Sequence, residues 1–313
     1  MTSLIVGVLL IAAESEVPPP PAAMVLAAKG SVVVVRGGKE KPATEMDLLR
    51  AGDVVRVATG GLAKVVVLGD GHREEIPAGA EVKLAAEGCQ PADAVKREPA
   101  KIAPGQLANL RKMALSQRGG VVVIRSGNAI PPGLTKRSPL NGTTVLTVKP
   151  SFRWAEVPEV LGYRIELIRD TPGKPRRTVW TAESREPSLE YPADAKALEA
   201  GERYHWVVTS LLGGDKEQVA VNARFVAPTE ETAAEVKELK SLAESPDPAE
   251  WLLAATTLEA SGAYEAALPL FEKLAEKAPG SARYQEILAE YYERAGEAEK
   301  AKAAVEKAKR LSE

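Results

Sequence analysis

Short runs of aliphatic residues alternate with glycine-containing turns over the first third of the chain. The runs read SVVVVR, GDVVRVA, LAKVVVL, HREEI and AEVKL, and their β-branched residues favour the pleated geometry of a strand. Asp70-Gly71 falls between two of these runs, and glycine accepts the positive φ that a tight hairpin turn requires. The pattern predicts a small all-β unit over residues 24–88.

A second β pattern occupies residues 138–227, where apolar and polar side chains alternate along each run. The clearest apolar positions at this spacing are Tyr163, Ile165, Leu167, Tyr204, Trp206 and Val208. Because successive side chains of a strand point to opposite faces, a period of two indicates strands with one buried face. We therefore predict a β-sandwich.

The last part of the chain, residues 230–313, has helical spacing and an internal repeat. Ala255 and Ala267 have counterparts one repeat later at Ala289 and Ala301. Small residues at these positions allow helices to approach closely. The run ETAAEVKELKSLAE is in register with part of a preceding repeat. Since about three repeats are needed to bury a continuous core, we expect this all-α tail to dock on the sandwich or on another chain.

Residues 89–137 connect the two β patterns. The stretch PGQLANLRKMALSQ spaces its leucines close to a helical period, which predicts one helix. A second valine-rich run, Val121 to Ile124, matches Val32 to Val35 and predicts a further strand. The chain is thus predicted to be multidomain, with an all-β unit, a β-sandwich and a helical-repeat tail.

Composition and charge exclude some classes of function. The hydrophobic fraction of 45% supplies real cores, while the aromatic fraction of 4% leaves few surfaces on which bases or sugars could stack. Residues 229–313 carry 18 acidic and 11 basic side chains, a net charge of −7, so the remainder of the chain sums to +5. Neither part has the strongly positive net charge that is typical of a nucleic-acid-binding protein, so no nucleic acid is expected as a partner.

The first fifteen residues are similar to a secretory signal peptide. An apolar run from Leu4 to Ala13 is followed by small residues suited to cleavage. The run is about half the length that a membrane span needs, and the mature chain is expected to have no transmembrane segment. Cys89 is the only cysteine, so intramolecular disulfides are impossible.

Candidate chemistry is sparse in this sequence. His72 follows a turn and His205 alternates outward in its strand, so solvent-facing positions explain both histidines. Glu74 and Glu75 are adjacent and therefore point to opposite faces of a strand. Glycine-containing segments such as RGGKEKP match no phosphate-binding loop and open no helix. We expect no catalytic, cofactor-binding or metal-binding residues, and we expect that the protein is not an enzyme.

The first unit resembles the FecR-like sensor domain, a family in which a valine-rich strand ends in arginine before a Gly-Asp turn and an Asp-Gly hairpin. The residues that carry the resemblance are Gly30, Val32, Val34, Arg36, Leu49, Gly52, Asp53, Val55, Thr59, Ala63, Val65, Asp70 and Gly71. The resemblance implies a β-rich extracytoplasmic module. We expect no cytoplasmic anti-sigma segment before this unit, and therefore do not expect the signal relay of the family's best-known members.

The second unit resembles a fibronectin type III or related immunoglobulin-like domain. Trp154 matches the early core tryptophan, Tyr163 opens the third strand, and Leu198, Gly201 and Tyr204 form the pattern of a tyrosine corner. Such a domain serves as a spacer or a docking surface.

The helical tail resembles tetratricopeptide repeats, a family that binds partners along the concave surface of the first helices. The matching positions in the second repeat are Arg283, Glu286, Glu290, Glu293 and Arg294, our candidate partner-binding residues. A solvated helix face stabilised by spaced charges explains them equally well.

These features favour a non-enzymatic adaptor or scaffold of the cell envelope, periplasmic or secreted, with an unidentified envelope protein or cell-wall polymer as its partner. The alternative is a carbohydrate- or peptidoglycan-binding protein that uses exposed aromatic residues of the sandwich, such as Trp180. An enzyme whose site is invisible in the sequence is the third hypothesis.

Overall fold

The computed structural model describes residues 19–116, 136–214 and 216–313. Two sequence predictions lie outside the described residues, the signal peptide at 1–15 and the valine-rich strand from Val121 to Ile124. Among the described residues, the chain is β-rich in its first two thirds and helical at its end, as predicted.

The first unit is built from short strands that form two sheets. Its strands are β1 Pro21–Lys29, β2 Val32–Arg36, β3 Lys39–Pro42, β4 Leu48–Arg50, β5 Val54–Val57, β6 Leu62–Val67, β7 Arg73–Ile76, β8 Glu81–Ala85, β9 Gly88–Gln90 and β10 Lys96–Glu98. Both sheets are five-stranded, with the orders β10-β7-β6-β1-β4 and β3-β2-β5-β8-β9. The sequence placed β9 and β10 in the connector. Both strands pair with this unit, so the expected boundary at residue 88 falls too early.

The strand β1, which the sequence analysis missed, is buried on both faces. Ala23 and Val25 belong to the core between the two sheets. Met24 and Leu26 point the other way and belong to a core that they share with the helices. By contrast, the valine-rich strand β2 buries only one face, since Val32 and Val34 are buried while their neighbours are partly exposed.

The second unit is a sandwich of two sheets. Its strands are β11 Arg137–Ser138, β12 Thr143–Thr144, β13 Ser151–Trp154, β14 Val160–Arg169, β15 Arg177–Ser184, β16 Ser188–Glu190, β17 Arg203–Leu212 and β18 Lys216–Val226. The smaller sheet has the order β11-β13-β16 and the larger one β12-β18-β17-β14-β15. The core contains Phe152, Trp206 and Phe225, which are fully buried. The hydroxyl of Tyr204 accepts the backbone N–H of Glu199 at 2.9 Å, as the predicted tyrosine corner requires.

The helical part comprises α1 Pro104–Ser116 in the connector and then α2 Glu230–Glu238, α3 Lys240–Ala243, α4 Pro248–Ala260, α5 Tyr264–Lys277, α6 Ala282–Ala295 and α7 Ala298–Ser312. The side chains of Thr229, Asp247 and Ser281 cap the N-termini of α2, α4 and α6, which satisfies backbone N–H groups that would otherwise lack a partner. Ala267 and Ala289 are completely buried, in agreement with the predicted close approach of the helices.

The helices share their hydrophobic core with the first β unit. Met24 and Leu26 of β1 lie in one continuous cluster with Leu110 of α1 and Leu252 and Leu253 of α4. The expectation that the helical tail docks on the sandwich or on another chain was therefore incomplete. Side chains of β1 cover apolar residues of α1 and α4 in this shared core.

Ion pairs and hydrogen bonds surround this shared core. Lys64 on β6 pairs with Asp247 at 2.6 Å, and Arg73 on β7 pairs with Glu250 at 2.8 Å. The hydroxyl of Tyr284 donates to Glu45. The first β unit and the helices are thus joined by both apolar and charged contacts.

Candidate functional site

The predicted partner-binding residues lie on α6, which Ser281 caps at its N-terminus. Positions three and four apart share one face of a helix, and two ion pairs form along it. Arg283 pairs with Glu286 at 3.5 Å, and Glu290 pairs with Arg294 at 2.7 Å. The predicted set therefore forms a charged helix face, but its two ends have different neighbours.

The C-terminal end of this face is bound by the sandwich. Arg137 donates from its guanidinium to the backbone carbonyls of Arg294 at 2.9 Å and Glu293 at 3.1 Å. The N–H of Asn141 donates to the carbonyl of Arg294 at 3.1 Å, and that of Thr144 donates to the carbonyl of Gly262 at 2.7 Å. We call residues 137–144 the sandwich strap. It satisfies carbonyl groups that the end of a helix leaves without a partner.

Arg294 is held by contacts within the chain. Its guanidinium lies over the ring of Tyr264 at 4.1 Å from the centroid, and it also donates to the carbonyl of Asn141 at 3.3 Å. Glu293 and Arg294 thus contact the sandwich strap, while Arg283 and Glu286 lie at the opposite end of α6. The predicted surface is only partly available to another protein.

A buried carboxyl group lies beside this junction. The Oε2 atom of Glu259, on α4, is buried and has no hydrogen-bond partner among the described residues. Burial and the neighbouring Glu290 raise the pKa of Glu259 to about 7, against the opposing effect of Arg283 and Arg294. No local sequence pattern marks Glu259, so the sequence analysis missed it.

Replacing Arg137 by methionine should loosen the attachment of the sandwich to the helices. Arg137 is buried, and hydrogen bonds from a charged donor contribute about 1.5–3 kcal/mol each when both groups are desolvated. We expect hydrogen exchange at the amides of Asn141 and Thr144 to accelerate at least tenfold. Arg177→Met, at an exposed position of β15, is the control and should leave both amides unchanged.

An open groove lies on another side of α6, between α5 and α7. Its volume is about 440 Å³, and it is lined by Glu272, Ala275, Glu276, Pro279, Gln285, Leu288, Tyr292 and Lys307. Leu288 and Ala275 are buried and form an apolar floor. The hydroxyl of Tyr292 donates to Glu272 at 2.9 Å, so carboxylates form one wall. The sequence analysis did not identify this groove, because its walls come from three helices.

The first β unit contains a buried carboxylate that holds several strands and turns together. The side chain of Glu74 on β7 has no exposed surface, and it accepts the N–H of Cys89 at 2.8 Å and the Nε–H of Arg97 at 2.8 Å. His72 lies 3.1 Å away through Nε2. A Cβ atom at Gly88 would come within 2.5 Å of the carboxylate, so the first position of β9 requires glycine.

The electrostatics of this cluster favour structure over catalysis. Burial raises the pKa of Glu74, but hydrogen bonds from Cys89, His72 and Arg97 outweigh burial and hold the pKa below its usual value. Burial and the adjacent carboxylate raise the pKa of the Cys89 thiol. A nucleophilic cysteine needs the opposite shift, so Cys89 is not set up as a nucleophile.

The two histidines are less exposed than predicted. The side chain of His72 is only 14% exposed and also contacts Asp70 at 2.5 Å. His205 is half-buried and lies 2.6 Å from the amide oxygen of Asn222. Both rings are held by polar neighbours, His72 by Asp70 and Glu74 and His205 by Asn222.

Trp180 differs from the exposed platform that the alternative function required. Its ring is half-buried and packs against the sandwich core. Phe152 stacks against it at 5.8 Å between centroids, and Tyr191 lies 5.1 Å away. Because these aromatic contacts cover part of the ring, the expectation of a freely exposed Trp180 is wrong.

Two further observations concern the described residues alone. Within residues 19–116, 136–214 and 216–313, no group of three or more histidine, cysteine, aspartate or glutamate side chains is arranged to hold a metal ion. None of the helices in these ranges is both long enough and apolar enough to cross a membrane.

Comparison with known proteins shows little similarity. No model of a protein family matches the chain, and no curated protein matches it. Among solved structures, the chain is similar to the fn3 domain of human collagen alpha-1(XX) chain, at 20% sequence identity and a TM-score of 0.24. The similarity covers 34% of this chain and 94% of that one. Values this low carry no inference about what the chain binds.

Proposed function

We propose that the protein is a non-enzymatic adaptor of the cell envelope that binds a partner protein in the groove between α5, α6 and α7. The groove carries this proposal, because it remains open after the two β units have docked on the helices. Its volume of about 440 Å³ lies within the range typical of ligand pockets. The partner-binding surface is therefore centred beside the predicted face of α6.

The chemistry of the groove favours a partner segment with apolar and basic side chains. Leu288 and Ala275 offer an apolar floor, and Glu272 and Glu276 place carboxylates along one wall. Residues 229–313 carry a net charge of −7, which attracts a basic partner at long range. A peptide that combines a leucine-like anchor with a lysine or arginine matches both features.

We further propose that the first unit is FecR-like and the helices are tetratricopeptide-like. The bidentate pair of Arg36 with Asp53, at 2.6 and 2.8 Å, supports the first assignment. It explains why the valine-rich strand ends in arginine and why aspartate follows the first turn glycine. The second assignment is supported by helix spacing. The interval between the first residues of α4 and α6 equals that between the first residues of α5 and α7, and both match the tetratricopeptide period.

The proposed location is periplasmic or secreted, on the basis of the apolar run from Leu4 to Ala13. Cell fractionation and N-terminal sequencing test it. We expect an envelope fraction whose mature chain begins between about residues 13 and 20. A cytosolic chain that retains Met1 would contradict export.

Site-specific photocrosslinking in the native cell tests the adaptor function. A photoreactive residue in place of Lys307, which lines the groove, should give one discrete protein adduct. Glu276→Lys reverses the charge of the opposite wall and should reduce this adduct at least tenfold. Glu238→Lys makes the same change at an exposed position of α2 and should leave the adduct intact.

The outcomes separate the two classes of function. An absent adduct, or equal loss in both lysine variants, would rule out the groove as the partner site. Co-sedimentation with purified peptidoglycan tests the alternative, and binding that survives Glu276→Lys would favour a polymer-binding protein over an adaptor.

A further inference from the structure

Three carboxyl groups are buried or partly buried near the junction between the helices and the sandwich strap. Glu259 on α4, Glu265 on α5 and Glu293 on α6 all have pKa values raised first of all by burial. The Oε2 atom of Glu259 is also shielded from water without a hydrogen-bond partner among the described residues. A buried carboxyl group without a hydrogen-bond partner favours its protonated form, because the ionised form costs more to remove from water.

The titratable and charged groups that face Glu259 come from α6, and α5 and the strap contribute the residues packed around them. On α6 these are Arg283, Glu290, Arg294 and Tyr291, whose buried hydroxyl also has no hydrogen-bond partner among the described residues. On α5, Tyr264 packs edge-on against Tyr291 at 5.8 Å. The strap adds the uncharged Thr144, bonded to the carbonyl of Gly262.

Glu265 and Glu293 both contact the sandwich, Glu265 through its carboxyl group and Glu293 through its backbone carbonyl. Glu265 accepts the hydroxyl of Ser138 and lies near Arg153. The charge of Glu290 raises the pKa of Glu293 and that of Arg294 lowers it, and the backbone carbonyl of Glu293 accepts a hydrogen bond from Arg137. Arg294 connects these groups to Glu259, because it pairs with Glu290 and donates to the strap at Asn141.

We propose that the junction is a proton-controlled latch, in which neutral Glu259 keeps the sandwich strap docked on α4 and α6 and ionised Glu259 releases it. An ionised Glu259 beside Glu290 requires water or a cation. The cations that act on Glu259 are Arg283 and Arg294, and Arg294 already holds Glu290 and the strap. Admitting water or redirecting Arg294 separates the strap from the helix ends.

The direction of the pH dependence follows from the raised pKa. Glu259 has a usual value of 4.5 and a value of about 7 in the docked state. Below the lower value the carboxyl is neutral whether the strap is docked or not, and docking is strongest. Between the two values the docking equilibrium weakens by about tenfold per pH unit where release restores the usual pKa, and above the higher value it becomes constant.

Hydrogen exchange of the full chain between pH 5 and 8 tests the latch. The amides of Asn141 and Thr144 report directly, because both donate across the junction, and their rates are expressed relative to the intrinsic rate at each pH. Protection of both amides should fall by one to two orders of magnitude as pH rises. The amide of Val66, in the first β unit, should change little and thereby separates strap release from global unfolding.

Two variants make the test specific to Glu259. Glu259→Gln should keep both strap amides protected across the pH range, whereas Glu306→Gln, at an exposed position of α7, should behave as the unmodified chain. Glu290→Gln removes the adjacent negative charge and should shrink the loss of protection. Strap protection that is independent of pH in the unmodified chain, or a pH dependence that persists in folded Glu259→Gln, would overturn the proposal. The latch does not rest on the proposed function, since this readout requires no partner.

Discussion

Replacing Glu74 by alanine is expected to lower the free energy of unfolding by about 3–5 kcal/mol, the range found when one member of a buried ion pair is removed. The carboxylate has no exposed surface and accepts hydrogen bonds from Cys89 and Arg97. Its loss leaves the N–H of Cys89 buried and removes the link between β7, β9 and β10. Urea unfolding at pH 7, followed by circular dichroism, measures the difference.

Glu75→Ala is a matched control on the neighbouring residue of β7. Glu75 points to the opposite face and is about one-third exposed, with Lys64 at 3.6 Å. Exposed ion pairs of this kind contribute about 0–1 kcal/mol, so the free energy of unfolding of Glu75→Ala should remain close to that of the unmodified chain. Equal losses in the two variants would show that Glu74 is not the centre of this cluster.

The effect of Glu74 should also depend on pH. Its pKa is held below the usual value in the folded state, so its contribution is fully present above the pKa of the unfolded chain. The contribution is lost as pH falls through the folded pKa. The free-energy difference between the unmodified chain and Glu74→Gln should therefore shrink from pH 6 towards pH 3. A difference that grows on acidification would contradict the assignment.

The sequence predicts only part of the cluster around Glu74. Alternation in the run HREEI predicts that Glu74 and Glu75 lie on opposite faces, as the structure shows. The pattern does not reveal which carboxylate is buried, because the answer depends on Cys89 and Arg97, which arrive from strands 15 and 23 residues away. Pairing across that separation leaves no local signal.

The same distinction applies to the larger elements. Strands rich in valine and helices that repeat at a fixed interval carry their signal locally, so their types are predictable. Strand β1 reads PAAMVLAAK and follows a run of prolines, and its uniform apolar character has no period. Its burial on both faces depends on α4, which begins only at Pro248, so the sequence around β1 does not predict it.

The junction residues were missed for a related reason. Arg137 and Glu259 have no motif around them, and each acquires its role from a neighbour in another unit. The predicted face of α6 was identified by resemblance to repeat proteins, which implies an open concave surface. In this chain the surface is not fully open, because the sandwich strap contacts Glu293 and Arg294 at one end of the face.

Leu26→Ala is expected to destabilise the helices as well as the β strand that carries it. Leu26 is buried in the core that β1 shares with α1 and α4, and removing a fully buried leucine side chain costs about 2–5 kcal/mol. Because the cavity would lie between β1 and α4, both elements should lose stability together. Native-state hydrogen exchange should show reduced protection in α4 residues such as Leu252 as well as in β6.

Leu167→Ala supplies the comparison that decides whether this coupling is specific. Leu167 is also completely buried, but it lies in the separate core of the sandwich. A similar loss of free energy should therefore appear in β14 and β17 while protection in α4 is retained. If Leu26→Ala leaves α4 protected, the helices are stable without the first β unit and the shared core is only a contact surface. If both variants reduce protection in α4 equally, the chain unfolds as one unit and the two cores are not independent. The expected result is the asymmetric one, because β1 contributes side chains to the core of the helices, whereas Leu167 lies in a separate core.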